Sequence, residues 1–156
     1  MRLQLVAVGT RQPAWINEGV KNFTRRMPRE CPLAVTEIPA GQRNRSRPAA
    51  RALEAEGSRI LKAASDSSMV VALHEKGTPW STRDLANELN RWRLEYDQVA
   101  LIIGGPDGLA PECLKRADRH WSLSNLTLPH GLARIVVAEQ LYRAWTILAG
   151  HPYHRE

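Results

Sequence analysis

The sequence predicts an α/β fold built on one mostly parallel sheet with helices on both faces. The run Val99-Ala100-Leu101-Ile102-Ile103 is continuously apolar and stops at Gly104-Gly105-Pro106, which is the pattern of a strand buried on both sides. Residues 3–8 and 69–73 have the same character. Between these runs apolar residues recur at helical spacing, so strands and helices alternate, and parallel neighbours require crossovers of that kind.

Taken in order, Leu3-Gln4-Leu5-Val6-Ala7-Val8 forms the first strand and Gly9 closes it. Ile16, Val20, Phe23 and Met27 then share one face of a helix opening near Pro13, a residue suited to a helix start because no N–H is needed there. Leu33–Ile38 is the second strand. The segment Gly41-Gln42-Arg43-Asn44-Arg45-Ser46-Arg47-Pro48 has no hydrophobic period and reads as a loop. An alanine-rich helix over residues 49–64 carries Leu53, Ile60 and Leu61, and the third strand ends at Leu73. Ser81 with Asp84 forms a capping box that opens a helix whose apolar face is Leu85, Leu89 and Trp92. The fourth strand is residues 99–103. Residues 111–124 hold a short helix and a short strand. Residues 123–130 read half as strand and half as the approach to the closing helix, which runs from about Leu132 to Ala149. Val137, Leu141, Trp145 and Leu148 form its apolar stripe, with Arg134, Glu139 and Arg143 on its polar flank.

A chain of 156 residues, 43% hydrophobic and without a dividing linker, fits a single domain spanning 1–156. No segment is long and apolar enough to span a membrane, and the short, strand-like N-terminus does not read as a signal peptide, so a cytoplasmic location is expected. Cys31 and Cys113 are isolated, which points to buried reduced thiols, with neither a disulfide framework nor a metal site. The formal charge of +6 is concentrated in part at Arg43, Arg45 and Arg47, whose loop suits contact with RNA phosphates; a merely solvated loop is the alternative. These arginines do not lie on an amphipathic helix, which disfavours a membrane surface.

The glycine turn matches neither a Rossmann G-x-G-x-x-G nor a P-loop. Taken alone it is a tight turn. The segment Leu123-Ser124-Asn125-Leu126-Thr127-Leu128-Pro129-His130 and the end of the third strand at Leu73 can wall a pocket with it, because ligands in parallel sheets bind where strands end. Gly104 and Gly105 would then let a flat ligand approach the backbone.

Four stretches together resemble the RlmH family of small SPOUT-class methyltransferases: Ile103-Gly104-Gly105-Pro106-Asp107-Gly108-Leu109, the segment 123–130, Glu139-Gln140-Leu141-Tyr142-Arg143-Ala144-Trp145, and the terminal His151-Pro152-Tyr153-His154-Arg155-Glu156. The resemblance covers the whole chain. It implies a homodimer that binds S-adenosylmethionine in a C-terminal trefoil knot and methylates N3 of a pseudouridine in large-subunit (23S) ribosomal RNA, free or in the assembled ribosome. It also places cofactor contacts on Leu73, Gly104, Gly105, Leu123, Ser124, Asn125, Leu126, Thr127 and Leu128. Gly131 departs from the family pattern, where a larger residue such as Gln or Pro follows the histidine.

Methyl transfer to an imide nitrogen requires that a proton leave and that the resulting negative charge be stabilised. Arg143 and Arg155 are the candidate cations; His130, His154, Tyr153 and Glu139 are the candidate proton acceptors or orienters. Each has a plainer reading. Glu139 and Arg143 could be a helix-surface ion pair worth about 0.3–0.5 kcal/mol, Tyr153 a packing residue and His130 a solvated residue at the helix start. The polar tail nevertheless holds too little apolar surface to dock for stability alone. Two other functions compete: an RNA-binding module without catalysis, and a SPOUT methyltransferase acting on tRNA.

Overall fold

The computed structural model describes residues 1–46 and 48–155. Five strands form one sheet in the order β2-β1-β4-β3-β5, with all strand pairs parallel: β1 Arg2–Val8, β2 Leu33–Ile38, β3 Met69–Thr78, β4 Gln98–Ile103 and β5 Arg119–Trp121. At the centre β1 runs beside β4, with Leu5 opposite Leu101 and Val6 opposite Ile102. Side chains alternate between two apolar layers. Leu3, Leu5, Val99, Leu101 and Ile103 pack into one, and Val6, Val8, Ala100 and Ile102 into the other. Both layers are buried, which is why these strands read as unbroken apolar runs.

Helices α1 (Ala14–Thr24), α3 (Thr82–Glu95) and α5 (His130–Ala149) cover the first face, contributing Phe23, Leu85, Leu89, Trp92, Val137 and Leu141. Helices α2 (Ala49–Ala63) and α4 (Pro111–Arg116) cover the second through Ile60 and Cys113. Prolines 13, 48 and 129 precede α1, α2 and α5, each with extended ψ between 142° and 151°, and the missing proline N–H is no loss at a helix start. The predicted capping box opens α3: Ser81 Oγ accepts from the Asp84 N–H at 3.1 Å and the Ser81 N–H donates to Asp84 at 2.8 Å. Gly150, left-handed at φ 70°, ends α5, and the His151 N–H returns to the Thr146 carbonyl at 2.9 Å.

The structure corrects four expectations. Met27 is buried but lies past the end of α1. Strand β3 does not stop at Leu73; it leaves β4 after Ala72 and continues along β5 to Thr78. Residues 122–129 contain no strand, because β5 has already ended at Trp121 and the chain goes directly into α5. Arg134 is not on a solvated flank. It is 2% exposed, and its guanidinium donates to the carbonyls of Val8 and Gly9 and to Glu37. Sequence periodicity cannot distinguish that arrangement from a surface arginine, since the partners come from β1 and β2.

Candidate functional site

A cleft opens where β3 parts from β4. The two strands pair as far as Ala72 opposite Ile102; beyond that point β3 turns toward β5, with a register break between Leu73 and Thr78. Gly77 permits the bend, since a Cβ there would meet the backbone of His120 at 2.6 Å. The cleft lies at the carboxyl ends of the strands, where parallel sheets place ligands. One wall is Leu73, His74 and Glu75; another is Ile103 with Gly104, Gly105 and Gly108. The third is the loop after β5, with Ser122, Leu123, Ser124, Leu126, Thr127 and Leu128, and the start of α5 closes it with His130 and Ala133. The cleft is open to solvent, with an empty volume of about 660 Å³.

The three segments expected from sequence therefore do meet, with one exception within them: Asn125 is exposed and does not line the cleft. His74, Glu75, Trp121 and Ala133 line it without having been singled out. The continuation of β3 past Leu73 would have revealed the first two. Trp121 falls within residues 111–124, where the sequence indicates a short strand but not the residue that ends it.

A side chain at Gly104 would overlap the carbonyl group of Gly108, so the missing Cβ makes room for the turn's own backbone, while the Gly104 backbone lines the cleft. The turn closes through the Gly108 N–H to the Gly105 carbonyl at 3.0 Å. At Gly131 a Cβ would overlap Oε1 of Gln12, the movable end of a flexible side chain, which a larger residue would have to push aside.

Three of the other catalytic candidates, Glu139, Arg143 and Tyr153, form a second cluster, far along α5 from His130. Arg143 Nε donates to Glu139 Oε1 at 2.7 Å, and the Tyr153 hydroxyl donates to the same oxygen at 3.1 Å. Gln140 Nε2 donates to Glu139 Oε2 at 2.7 Å while Gln140 Oε1 accepts from Thr82, which links the cluster to α3. The tail turns through a short 3-10 helix, Pro152–Arg155, against α5: the Tyr153 ring lies 4.7 Å from the Tyr142 ring and 4.8 Å from the Arg143 guanidinium. Burial, then the nearby Glu139 carboxylate, raises the Tyr153 pKa above its ordinary value, so the phenol stays protonated and remains a donor. Nδ1 of His154 is buried without a hydrogen-bond partner, and Arg155 is exposed. At 1.5 Å per residue, the nine to thirteen residues from His130 to Glu139 and Arg143 span about 14–20 Å. Within one chain, the cleft and the tail cluster are separate.

The arginine loop divides. Arg43 turns inward, donating from Nη2 to buried Glu56 at 2.7 Å and from Nε to Asp107 at 2.6 Å, so its charge is spent within the fold. Arg45 is exposed, and Arg47 lies outside the described residues. Cys31 and Cys113 are free buried thiols, and burial pushes both up to about 11. No group of three potential metal ligands occurs among the described residues, and no helix there is long and apolar enough to cross a membrane.

Comparison with known proteins agrees with this geometry. The family described as "Predicted SPOUT methyltransferase" matches residues 1–154. Proteins named ribosomal RNA large subunit methyltransferase H from Pseudomonas paraeruginosa (strain DSM 24068 / PA7) and Pseudomonas putida (strain W619) are each 50% identical over 155 residues, covering 99% of this chain and 100% of theirs. A methylase family protein from Haemophilus influenzae Rd KW20 shares the fold at TM-score 0.61 and 16% identity, over 97% of this chain and 69% of its own. A methyltransferase from Legionella pneumophila, solved with the cofactor SAM bound, aligns at TM-score 0.51 and 14% identity, over 93% of this chain and 66% of its own. A whole-length family match and half-identical relatives of equal length establish the assignment: this chain belongs to the SPOUT methyltransferase family.

Proposed function

We propose that the protein transfers a methyl group from S-adenosylmethionine to N3 of a pseudouridine in large-subunit ribosomal RNA. The character of the cleft carries the reading. Its lining offers apolar faces from Leu73, Ile103, Trp121, Leu123 and Leu128, glycine backbone at residues 104, 105 and 108, and, among the described residues, no lysine or arginine. A phosphate-rich nucleotide would need cations there. A sulfonium cation with an adenine ring needs the opposite: apolar walls for the ring, and backbone groups outside the regular ladders of strands and helices, which residues 123–128 provide. Glu75 adds a carboxylate on the same rim. Half-identical relatives named for large-subunit ribosomal RNA support the substrate.

When bound, the cofactor supplies an electrophilic methyl group; the chain's task is to position the reactants and manage a proton. The target nitrogen must lose its proton, and the charge left on the flanking carbonyl oxygens calls for a fixed cation. Arg155 and Arg143 are permanently charged. Glu139 accepts from three donors, Arg143, Tyr153 and Gln140, which makes it an orienter of that cluster. His154, with its unmatched ring nitrogen, is the candidate to take the proton.

The separation of cleft and cluster supports a homodimer in which one chain's tail completes its partner's cleft. Apart from its polar cluster, helix α5 leaves Leu132, Ile135, Val136 and Ile147 only half-buried, and α1 beside it leaves Trp15 62% exposed. Apolar side chains left half-covered on two neighbouring helices suit a subunit contact, which the same helices of a second copy would provide. The protein would act as a single domain in the cytoplasm, and the loops after β4 and β5 are where the trefoil knot that the family fold implies would be threaded.

The test is methyl transfer from labelled S-adenosylmethionine to three substrates: assembled ribosomes, isolated large-subunit RNA and tRNA. Label in a pseudouridine of the large subunit is the expected result. Label confined to tRNA would support the tRNA reading, and cofactor uptake by none of the samples would leave only an RNA-binding role. A Thr127→Trp variant, which fills the cleft from an exposed loop position, should lose cofactor binding while remaining folded.

A further inference from the structure

We propose that Arg43 is a positioning residue for the cleft: it clamps Asp107 at the tip of the glycine turn onto a buried carboxylate of α2. The proposal rests on the reading of that cleft as the cofactor site.

Glu56 is the foundation. Its side chain is 1% exposed on the inner face of α2, where a lone carboxylate is costly, and Arg43 Nη2 satisfies both of its oxygens, at 2.7 and 3.1 Å. The same guanidinium donates from Nη1 to the Gly41 carbonyl at 3.1 Å, which fixes its plane. The remaining edge, Nε, reaches out to Asp107 Oδ2 at 2.6 Å. Glu56 also lies directly beneath the turn, since a Cβ on Gly105 would meet its Oε1 at 3.4 Å. Carboxylate, guanidinium and carboxylate thus form a short stack from α2 to the turn's tip.

The turn needs such a tether. Residues 104, 105 and 108 are glycines, whose backbones are the least restrained of any residue, and Gly105 and Gly108 form part of the cleft wall on either side of Pro106-Asp107. The turn's internal Gly108-to-Gly105 hydrogen bond fixes its closure but not its tilt over the cleft. Arg43 sets the tilt through Asp107. Arginine is suited to this role because its planar fork addresses two carboxylates at once, whereas a lysine ammonium on Glu56 has no second edge to offer.

Cofactor affinity and steady-state kinetics of three variants test the clamp: Asp107→Ala, Arg43→Lys and the two combined. All three keep a cation beside Glu56, so its buried carboxylate is not left as an isolated charge. Asp107→Ala and Arg43→Lys should each raise the cofactor Kd and KM roughly three- to tenfold with kcat at saturating cofactor nearly unchanged, since a loosened wall costs binding and not chemistry. The combined variant should be no worse than the weaker single one, because both substitutions cut one link. A purely structural role would lower the melting temperature and leave KM alone, and that result overturns the proposal. So does a multiplicative double variant, which would mean that Asp107 meets the cofactor without Arg43. A parent protein that takes up no cofactor removes the underlying reading and the clamp with it.

Discussion

Tyr153, in the tail, donates its hydroxyl to Oε1 of Glu139 at 3.1 Å within the same chain. Arg143 holds that oxygen as well, at 2.7 Å, and its guanidinium lies 4.8 Å from the Tyr153 ring centre. Tyr153 is therefore held at the far end of α5, away from its own cleft, and in the homodimer proposed above the tail would serve the partner's cleft.

Removing the hydroxyl alone tests whether this cluster acts in the transition state. Tyr153→Phe keeps the ring contacts with Tyr142 and Arg143 and should lower stability by about 0.5–1.5 kcal/mol. Cofactor Kd should stay within about twofold while turnover falls at least about tenfold, the signature of a contact that matters chiefly after binding. Turnover equal to the parent's would return Tyr153 to a packing role.

Complementation tests the trans arrangement. A Thr127→Trp chain lacks a usable cleft, and a chain truncated after Gly150 lacks a tail; each should be inactive alone. Mixed and allowed to exchange, they form a heterodimer with one open cleft beside one intact tail, and activity up to roughly a quarter of the parent's should return, given statistical pairing. A mixture that stays inactive after exchange is confirmed by mass spectrometry would place the tail's action within its own subunit.

Much of this architecture was legible in local patterns. Leu33–Ile38 appears with the bounds read from sequence, the Ser81–Asp84 box caps α3 as expected, and Leu85, Leu89 and Trp92 are the buried face of that helix. Strand periodicity and capping are properties of neighbouring residues, so they survive folding. What was not legible depends on partners distant in the chain. Arg134 read as a surface residue because nothing near it in sequence reveals Val8, Gly9 and Glu37. Arg43 read as a phosphate contact because Glu56 and Asp107 reach it only through the tertiary structure. That Gly104 must also lack a Cβ for the Gly108 carbonyl was likewise hidden, since the contact is made only once the turn has folded.

Arg134 should prove one of the most sensitive positions. Arg134→Met strips two strand-end carbonyls of their donor and frees Glu37, and the expected loss is about 3–5 kcal/mol in denaturant unfolding. Glu37→Gln should cost no more than about 1 kcal/mol, because Glu37 is partly solvated and a neutral acceptor remains. Equal losses at the two positions would contradict the carbonyl-anchoring role.

The two thiols give a pH test. With both pushed from 9.0 up to about 11 by burial, neither is a thiolate at pH 8, and a disulfide-exchange reagent should label neither in the native protein and both after denaturation. The folded state holds these protons more tightly than the unfolded one, so their contribution to stability is complete below pH 9 and declines as pH rises toward 11. Rapid native labelling at pH 8 would show that one of the sites opens.

Nucleoside mass spectrometry of ribosomal RNA from cells with and without this protein tests the proposed reaction most directly. One 3-methylpseudouridine of the large-subunit RNA should be replaced by unmethylated pseudouridine in the deletion and restored by the parent gene but not by Thr127→Trp. An unchanged 3-methylpseudouridine content in the deletion would contradict it.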